Sequence, residues 1–211
     1  MNYPWFIKLA IWFLKRNLEK VAGLENLPAN SNFILAANHG SYLDAVFLWV
    51  GLVPVTKKII YSLAKEQLKS KFGSFGSKYL GMIYIDTKDK AKCLEVAAEY
   101  LKRNEIICVL PEGRRNYDPI NLLPGKTGAA RLALKAKVPV IPVGIISPKG
   151  QGVFQAIKNA FWPKNKAKII IGRPLNFEKY FYQEMTKESL EKITRETMLK
   201  IGELCGKKYT Y

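Results

Sequence analysis

Histidine is almost absent from this chain. His39 stands alone among 211 residues, so any chemistry that needs an imidazole near neutral pH is confined to one place. Cysteine is nearly as scarce: Cys93, Cys108 and Cys205 lie far apart, with no Cys-x-x-Cys pair. One histidine and three scattered thiols form no recognisable metal-ligand set and no disulfide framework. That composition suits reduced thiols in a cytosol-facing protein and gives no reason to expect a metal or cofactor. Near the N-terminus the unbroken apolar stretch 9–14 is far short of the ~20 residues that span a bilayer. A secretory signal is not expected either, because the positive charges do not precede a clean apolar core and no small-residue cleavage site stands out. Acidic residues are few beside basic ones, 17 against 34, for a net charge of +17. Such a surface attracts a polyanion, whether an anionic bilayer, a nucleic acid or a phosphate-bearing substrate. The nucleic-acid reading rests on charge alone, since there is no zinc spacing, no RNA-recognition aromatic signature and no clear helix-turn-helix pattern.

What is present is ordinary for a globular protein: 48% hydrophobic and 24% charged residues exclude a disordered chain, and the length suits one large domain. The pattern predicts a single α/β domain, with a largely parallel central sheet flanked by helices, over residues 23–211. An N-terminal helix within residues 1–22 precedes it. That helix, expected over 3–18, is apolar on most of its circumference, carries Trp5 and Trp12, and is flanked by Lys8, Lys15 and Arg16. Aromatic rings with snorkelling lysines suit an amphipathic helix lying in a membrane interface, while packing on the domain is the plainer alternative.

Strands are expected at 33–37, 59–64, 82–86, 106–110 and 138–145, and a last one closing at 169–172. Residues 106–110 form a continuous apolar run of the buried parallel type. Pro139 and Pro142 remove two ladder donors and set the 138–145 strand partly off a regular ladder. Helices are expected at 42–52, 90–103, 128–137 and 184–205, with a loop or broken helix at 71–78. Residues 151–168 mix aromatics with lysines and suit either a second membrane contact or a packed surface helix. Gly125-Lys126-Thr127 ends like a phosphate-binding P-loop, but Ile120 stands where the first glycine must be, so no nucleotide site follows.

The chemistry gathers in Asn38-His39-Gly40-Ser41-Tyr42-Leu43-Asp44. If a buried strand ends at Ala37 and Asp44 opens a helix, the five-residue offset lets the carboxylate fold back onto one imidazole nitrogen. The other nitrogen then faces outward as a base, and a substrate hydroxyl can serve as nucleophile. The plainer reading is a hydrogen-bonded loop histidine followed by an aspartate that favours a helix N-terminus. A second polar group, Pro111-Glu112-Gly113-Arg114-Arg115, sits at the carboxyl end of the 106–110 strand, where open α/β sheets place ligands. Gly113 permits a tight turn, Arg115 can grip a phosphate bidentately, and Glu112 can hold the arginine or accept from a substrate hydroxyl.

These two blocks, followed by Val138-Pro139-Val140-Ile141-Pro142-Val143, resemble the glycerolipid acyltransferase family of 1-acylglycerol-3-phosphate acyltransferases and their lysophospholipid-acylating relatives. The resemblance spans residues 38–143. It implies transfer of a fatty acyl group from acyl-CoA or acyl carrier protein to a lysophospholipid hydroxyl, most directly 1-acylglycerol-3-phosphate, in phospholipid biosynthesis. His39 and Asp44 would be catalytic, and Arg115, Lys65, Lys126 and Lys88 would meet phosphate, with Glu112, Gly113 and Arg114 in the turn. The chain departs from the family pattern at Thr87, where an arginine is usual, and Lys88 is its nearest cation. Arg114 replaces a threonine and Gly125 an aromatic residue. The departure at Thr87 keeps a different lyso-lipid headgroup in view, and a non-enzymatic basic membrane- or nucleic-acid-binding protein remains the rival of another class. As an enzyme of this kind the chain is expected on the cytoplasmic face of an anionic membrane, peripherally bound, without nucleic acid.

Overall fold

The apolar runs of the sequence become the middle of a seven-stranded sheet. The computed structural model describes residues 4–29, 31–86, 88–147, 158, 161–162 and 166–211. Its strands are β1 (Leu18–Ala22), β2 (Phe33–Ala37), β3 (Ile60–Lys65), β4 (Met82–Ile85), β5 (Ile106–Val109), β6 (Val140–Ile146) and β7 (Ala167–Ile171), in the spatial order β1-β7-β6-β2-β5-β3-β4. From β6 through β2, β5 and β3 to β4 all pairings are parallel. At the other edge β7 runs antiparallel to β6, and β1 pairs parallel with β7.

Strand β2 is buried along its whole length, and its residues alternate between two cores. Phe33, Leu35 and Ala37 face one layer with Ile7 of α1 (Trp5–Lys15) and Phe47, Leu48 and Leu52 of α2 (Asp44–Thr56). Ile34 and Ala36 face the other, with residues of α4 (Lys90–Lys102), α5 (Gly128–Ala136) and α6 (Lys187–Cys205). Helices on both faces explain why β2 reads as an unbroken apolar run rather than an alternation. Helix α6 lies directly over β6: a Cβ added to Gly144 would fall 2.5 Å from the Leu204 carbonyl carbon. The α/β class and the largely parallel sheet expected from the sequence are what the chain adopts.

Two local expectations need correction. The segment 1–22 is not one helix, because α1 ends at Lys15 and Leu18–Ala22 forms β1; the sheet therefore begins before the boundary expected at residue 22. Strand β6 begins at Val140, just after Pro139, and stays in the ladder through Pro142. Pro142 is the register partner of Ala36 in β2, and its carbonyl, facing β7, accepts from Gly172 N. The antiparallel register that pairs Val143 with Ile171 sets Pro142 opposite Gly172, just past the end of β7, so the missing donor falls at the end of the β6–β7 pairing rather than inside it. Residues 71–78 take the second of the two forms expected of them, a broken helix: they lie in α3 (Lys69–Tyr79), interrupted at Gly73, whose φ is 46° and ψ −140°. Most of the 151–168 segment lies outside the described residues, as does Thr87.

Candidate active site

The site forms where β2 and β5 end side by side. Ala36 is the register partner of Val109, so two more residues along each strand bring the loop after β2 level with the loop after β5. Asn38 leaves β2 with its side chain spent on β6: Nδ2 donates to the Ile145 carbonyl at 2.9 Å and Oδ1 accepts from Ile145 N at 2.7 Å. A buried primary amide that satisfies a strand's donor and acceptor together fixes where the loop starts.

Asp44 opens α2 but does not cap it. Its Oδ2 accepts from Gly40 N and Ser41 N at 2.8 Å each, and from His39 Nδ1 at 3.0 Å. All three donors precede the helix, so the carboxylate folds the loop back onto itself. With the oxygen an acceptor in every contact, the imidazole donates through Nδ1, and Nε2 keeps its lone pair. Asp44 is wholly buried while the His39 side chain is 18% exposed, so the base end opens outward and the supporting end is sealed. The second carboxylate oxygen, Oδ1, is also buried and has no hydrogen-bond partner among the described residues.

Glu112 holds the same loop from the other side. Its Oε1 accepts from His39 N at 3.0 Å, and Oε2 accepts from Asn116 Nδ2 at 2.7 Å and Leu123 N at 2.9 Å. Asn116 N in turn donates to the His39 carbonyl at 2.7 Å, so the backbone of His39 is gripped at both its N–H and its C=O. Glu112 is only 2% exposed, and its oxygens go to these groups rather than to Arg115, which corrects the expectation that it holds the arginine. Nothing in the local motif names His39 as its partner. The place of Glu112 just after the apolar 106–110 run was the available signal, because a carboxylate carried into the interior there must find N–H donors.

The cations are arranged around this clamp. Gly113 takes φ 69°, and a Cβ there would fall 2.5 Å from Lys126 Nζ, so the ammonium lies across the turn; Lys126 N also donates to the Pro111 carbonyl at 2.9 Å. Arg115 is half-buried, with Cζ 3.6 Å from the centroid of the Tyr42 ring and Nε donating to Tyr117 Oη at 3.2 Å. Arg114 points to solvent. Lys65 is the last residue of β3, exposed and in register with Ile85 of β4. At about 5 Å per strand, its backbone is roughly 10 Å across the sheet from β2. Lys88 is also exposed, its N–H donating to Asp86 Oδ1 at 3.0 Å, but it follows β4, one strand farther out. The structure thus brings His39, Asp44, Glu112, Gly113, Arg115 and Lys126 into one site and leaves Lys65 and Lys88 on its rim.

One nucleophile close to the dyad is disabled. Burial, with a smaller push from the charge of Asp44, raises the Cys108 thiol to about 12, so it stays protonated and is no candidate to carry an acyl group.

The arrangement offers a supported base, an open approach to it and cations for an anionic substrate. Comparison with known proteins points the same way. The family profile described as Acyltransferase matches residues 19–146. A 1-acyl-sn-glycerol-3-phosphate acyltransferase of Bacillus subtilis is 32% identical over 190 residues, covering 89% of this chain and 88% of the relative. An alpha form of that enzyme from Mus musculus is 29% identical over 165 residues, 75% of this chain and 55% of the relative, so the chain spans about half of that longer protein. The crystal structure of the 1-acyl-sn-glycerophosphate (LPA) acyltransferase PlsC from Thermotoga maritima matches with a TM-score of 0.66 at 27% identity, covering 94% of this chain and 79% of the other.

Proposed function

The chain belongs to the glycerolipid acyltransferase family, and from that premise we propose that it acylates the free hydroxyl of 1-acylglycerol-3-phosphate with a fatty acyl thioester, yielding phosphatidic acid for phospholipid biosynthesis. The observation that carries this reading is the His39 Nδ1 to Asp44 Oδ2 contact of 3.0 Å, which leaves Nε2 open at the mouth of a cation-rimmed site. Nε2 takes the proton of the acceptor hydroxyl as that oxygen attacks the thioester carbonyl, and Asp44 stabilises the imidazolium that results. The tetrahedral intermediate collapses by breaking the carbon–sulfur bond. The departing thiolate recovers the proton from His39, so an ester and a free thiol leave a regenerated imidazole. Arg115 and Lys126 hold the acceptor's phosphate beside the hydroxyl, and Lys65 and Lys88 extend the attraction across the rim.

The same reading places the protein on a membrane, where both substrates partition. No helix among the described residues is long and apolar enough to cross a bilayer. Helix α1 instead exposes Trp5, at 76%, and Trp12, at 72%, together with Leu9. Phe161 and Trp162 continue that patch: Phe161 packs edge-on against Phe13 at 5.7 Å, and its carbonyl accepts from the Arg16 guanidinium, which lies over the Phe13 ring. Aromatic rings backed by Lys8, Lys15, Arg16 and Lys158 suit the headgroup layer of an anionic cytoplasmic leaflet.

Incubating the purified protein with 1-acylglycerol-3-phosphate in anionic vesicles, in parallel arms with acyl-CoA and with acyl carrier protein, tests the reading and identifies the donor. Phosphatidic acid is expected from at least one arm and is lost in His39→Ala. A folded protein that forms no product in either arm sinks the proposal.

A further inference from the structure

Arg115 belongs to the loop after β5, yet the side chain that shapes its position comes from the loop after β2. Tyr42 lies between His39 and Asp44, and the Arg115 guanidinium stacks on its ring face with Cζ 3.6 Å from the centroid. The Nε–H donates to Tyr117 Oη at 3.2 Å. One face and one N–H are therefore used, and the Nη1/Nη2 fork has no carboxylate or hydrogen-bond partner among the described residues. A planar fork stacked on an aromatic ring is an arginine held in readiness for a phosphate, which takes two parallel N–H bonds. The next residue, Asn116, donates its N–H to the His39 carbonyl at 2.7 Å. The arginine loop and the histidine loop are thus joined three times, through Glu112 and Asn116 at the His39 backbone and through the Tyr42 ring.

We propose that Tyr42 and Tyr117 are positioning residues that hold the Arg115 fork at a fixed offset from His39, making the site selective for acceptors whose phosphate lies close to the reacting hydroxyl. This rests on the reading of the acceptor given above. In 1-acylglycerol-3-phosphate only two carbons and one ester oxygen separate the free hydroxyl oxygen from phosphorus, so a fork and a base fixed on adjoining loops measure that short spacing. Tyr42 matters here for its ring face, not its hydroxyl, whereas Tyr117 acts through its hydroxyl. Tyr42 is 39% exposed, so removing its ring leaves the packed core in place.

The test compares steady-state acylation of lysophosphatidate with that of a phosphate-free monoacylglycerol, using one donor and vesicles of fixed composition. Tyr42→Ala is expected to raise the KM for lysophosphatidate about 3- to 30-fold, the range of a partly desolvated cation–π contact. The donor KM, the pH profile of kcat and the rate on monoacylglycerol stay as they are in the wild type. Tyr42→Phe restores the wild-type KM, and Tyr117→Phe gives a smaller rise. Adding Tyr42→Ala to Arg115→Ala produces no further loss, because the ring acts only through the arginine. The inference is overturned if Tyr42→Ala keeps the wild-type KM, or if it slows both acceptors equally, which would make Tyr42 a prop of the histidine loop. Wild-type protein that acylates neither acceptor would instead overturn the acceptor reading and this inference with it, before any variant is compared.

Discussion

The two halves of the sheet's carboxyl edge treat their polar atoms in opposite ways. Where β2 and β5 end, Asn38, Asp44, Glu112 and Asn116 are buried and engaged, and together they fix one imidazole. Where β3 and β4 end, Lys65 and Lys88 are exposed, with side chains in no ion pair among the described residues. A base must meet a particular proton at hydrogen-bond distance, and a displacement of an ångström is costly, so the surrounding protein pre-organises it. A cation that draws in a phosphate gains from reach, and holding it rigidly adds little. On the proposed reading the buried clamp serves rate and the cations around it serve affinity, and substitutions in each group should separate the two.

The largest effect is expected at the dyad. His39→Ala should lower kcat by about 10²- to 10⁴-fold, the worth of a positioned base. It should leave the melting temperature within a few degrees of wild type, because the ring is partly exposed. Asp44→Asn should be nearly as slow and also less stable, since an amide that keeps its oxygen on Gly40 N–H and Ser41 N–H buries an unpaired NH2 in place of Oδ1 and removes the charge that supports the imidazolium. Steady-state rates with thermal unfolding of both variants make the check. A His39→Ala protein with most of its activity would erase the distinction between the two halves of the edge.

Glu112→Gln comes next. The substitution replaces one oxygen of a carboxylate that accepts three N–H bonds, at a cost of about 1–3 kcal/mol. For a chain of this size that lowers the melting temperature by roughly 2–4 °C per kcal/mol. Because the His39 backbone loosens as well, kcat should fall while the acceptor KM changes little. A rise in KM alone would move Glu112 from the clamp to the substrate.

Lys65→Ala and Lys126→Ala should do the reverse. Each is expected to raise the acceptor KM by about 3- to 10-fold at low ionic strength, with kcat and melting temperature nearly unchanged, and the difference from wild type should shrink as salt is added. Lys126, which lies across Gly113 inside the site, should show a larger change than Lys65 on the rim, and equal effects would mean that both act only as diffuse charge.

The same contrast explains what the sequence reveals. The buried run 33–37, the apolar 106–110 stretch and the two polar groups that follow them are local patterns, and they place the sheet, the dyad and Arg115 directly. The role of Glu112 was hidden, because a carboxylate's neighbours in sequence do not say which distant N–H it meets, and His39 is 73 residues away. Strand β1 was hidden for a similar reason. Leu18-Glu19-Lys20-Val21-Ala22 suits the end of a helix, and only its pairing with Ala167 to Ile170 makes it a strand. Tyr42 looked like one more apolar residue at the start of a helix; the arginine over its face comes from another loop. Side chains whose function depends on a partner far along the chain are the ones that local pattern cannot read.

The smallest effect is expected at Cys108, which sits inside the β5 half of the site and tests whether nearness to the dyad alone confers a role. Its thiol, raised to about 12 by burial and by Asp44, stays protonated throughout any working range, so Cys108→Ala should keep kcat within about 3-fold and no acyl-enzyme should accumulate in a single turnover. Stability carries the trace instead. A thiol whose pKa is higher in the folded chain than its ordinary value near 9 contributes fully below pH 9, and that contribution is lost as pH rises from about 9 towards 12. Wild type should therefore lose about 1 kcal/mol between pH 8 and pH 10 that Cys108→Ala does not lose, a difference to be read from paired urea denaturations. Parallel curves for the two proteins would mean that the sulfur is not held in the enclosed site described, and a large fall in kcat would make it a working part of the clamped half after all.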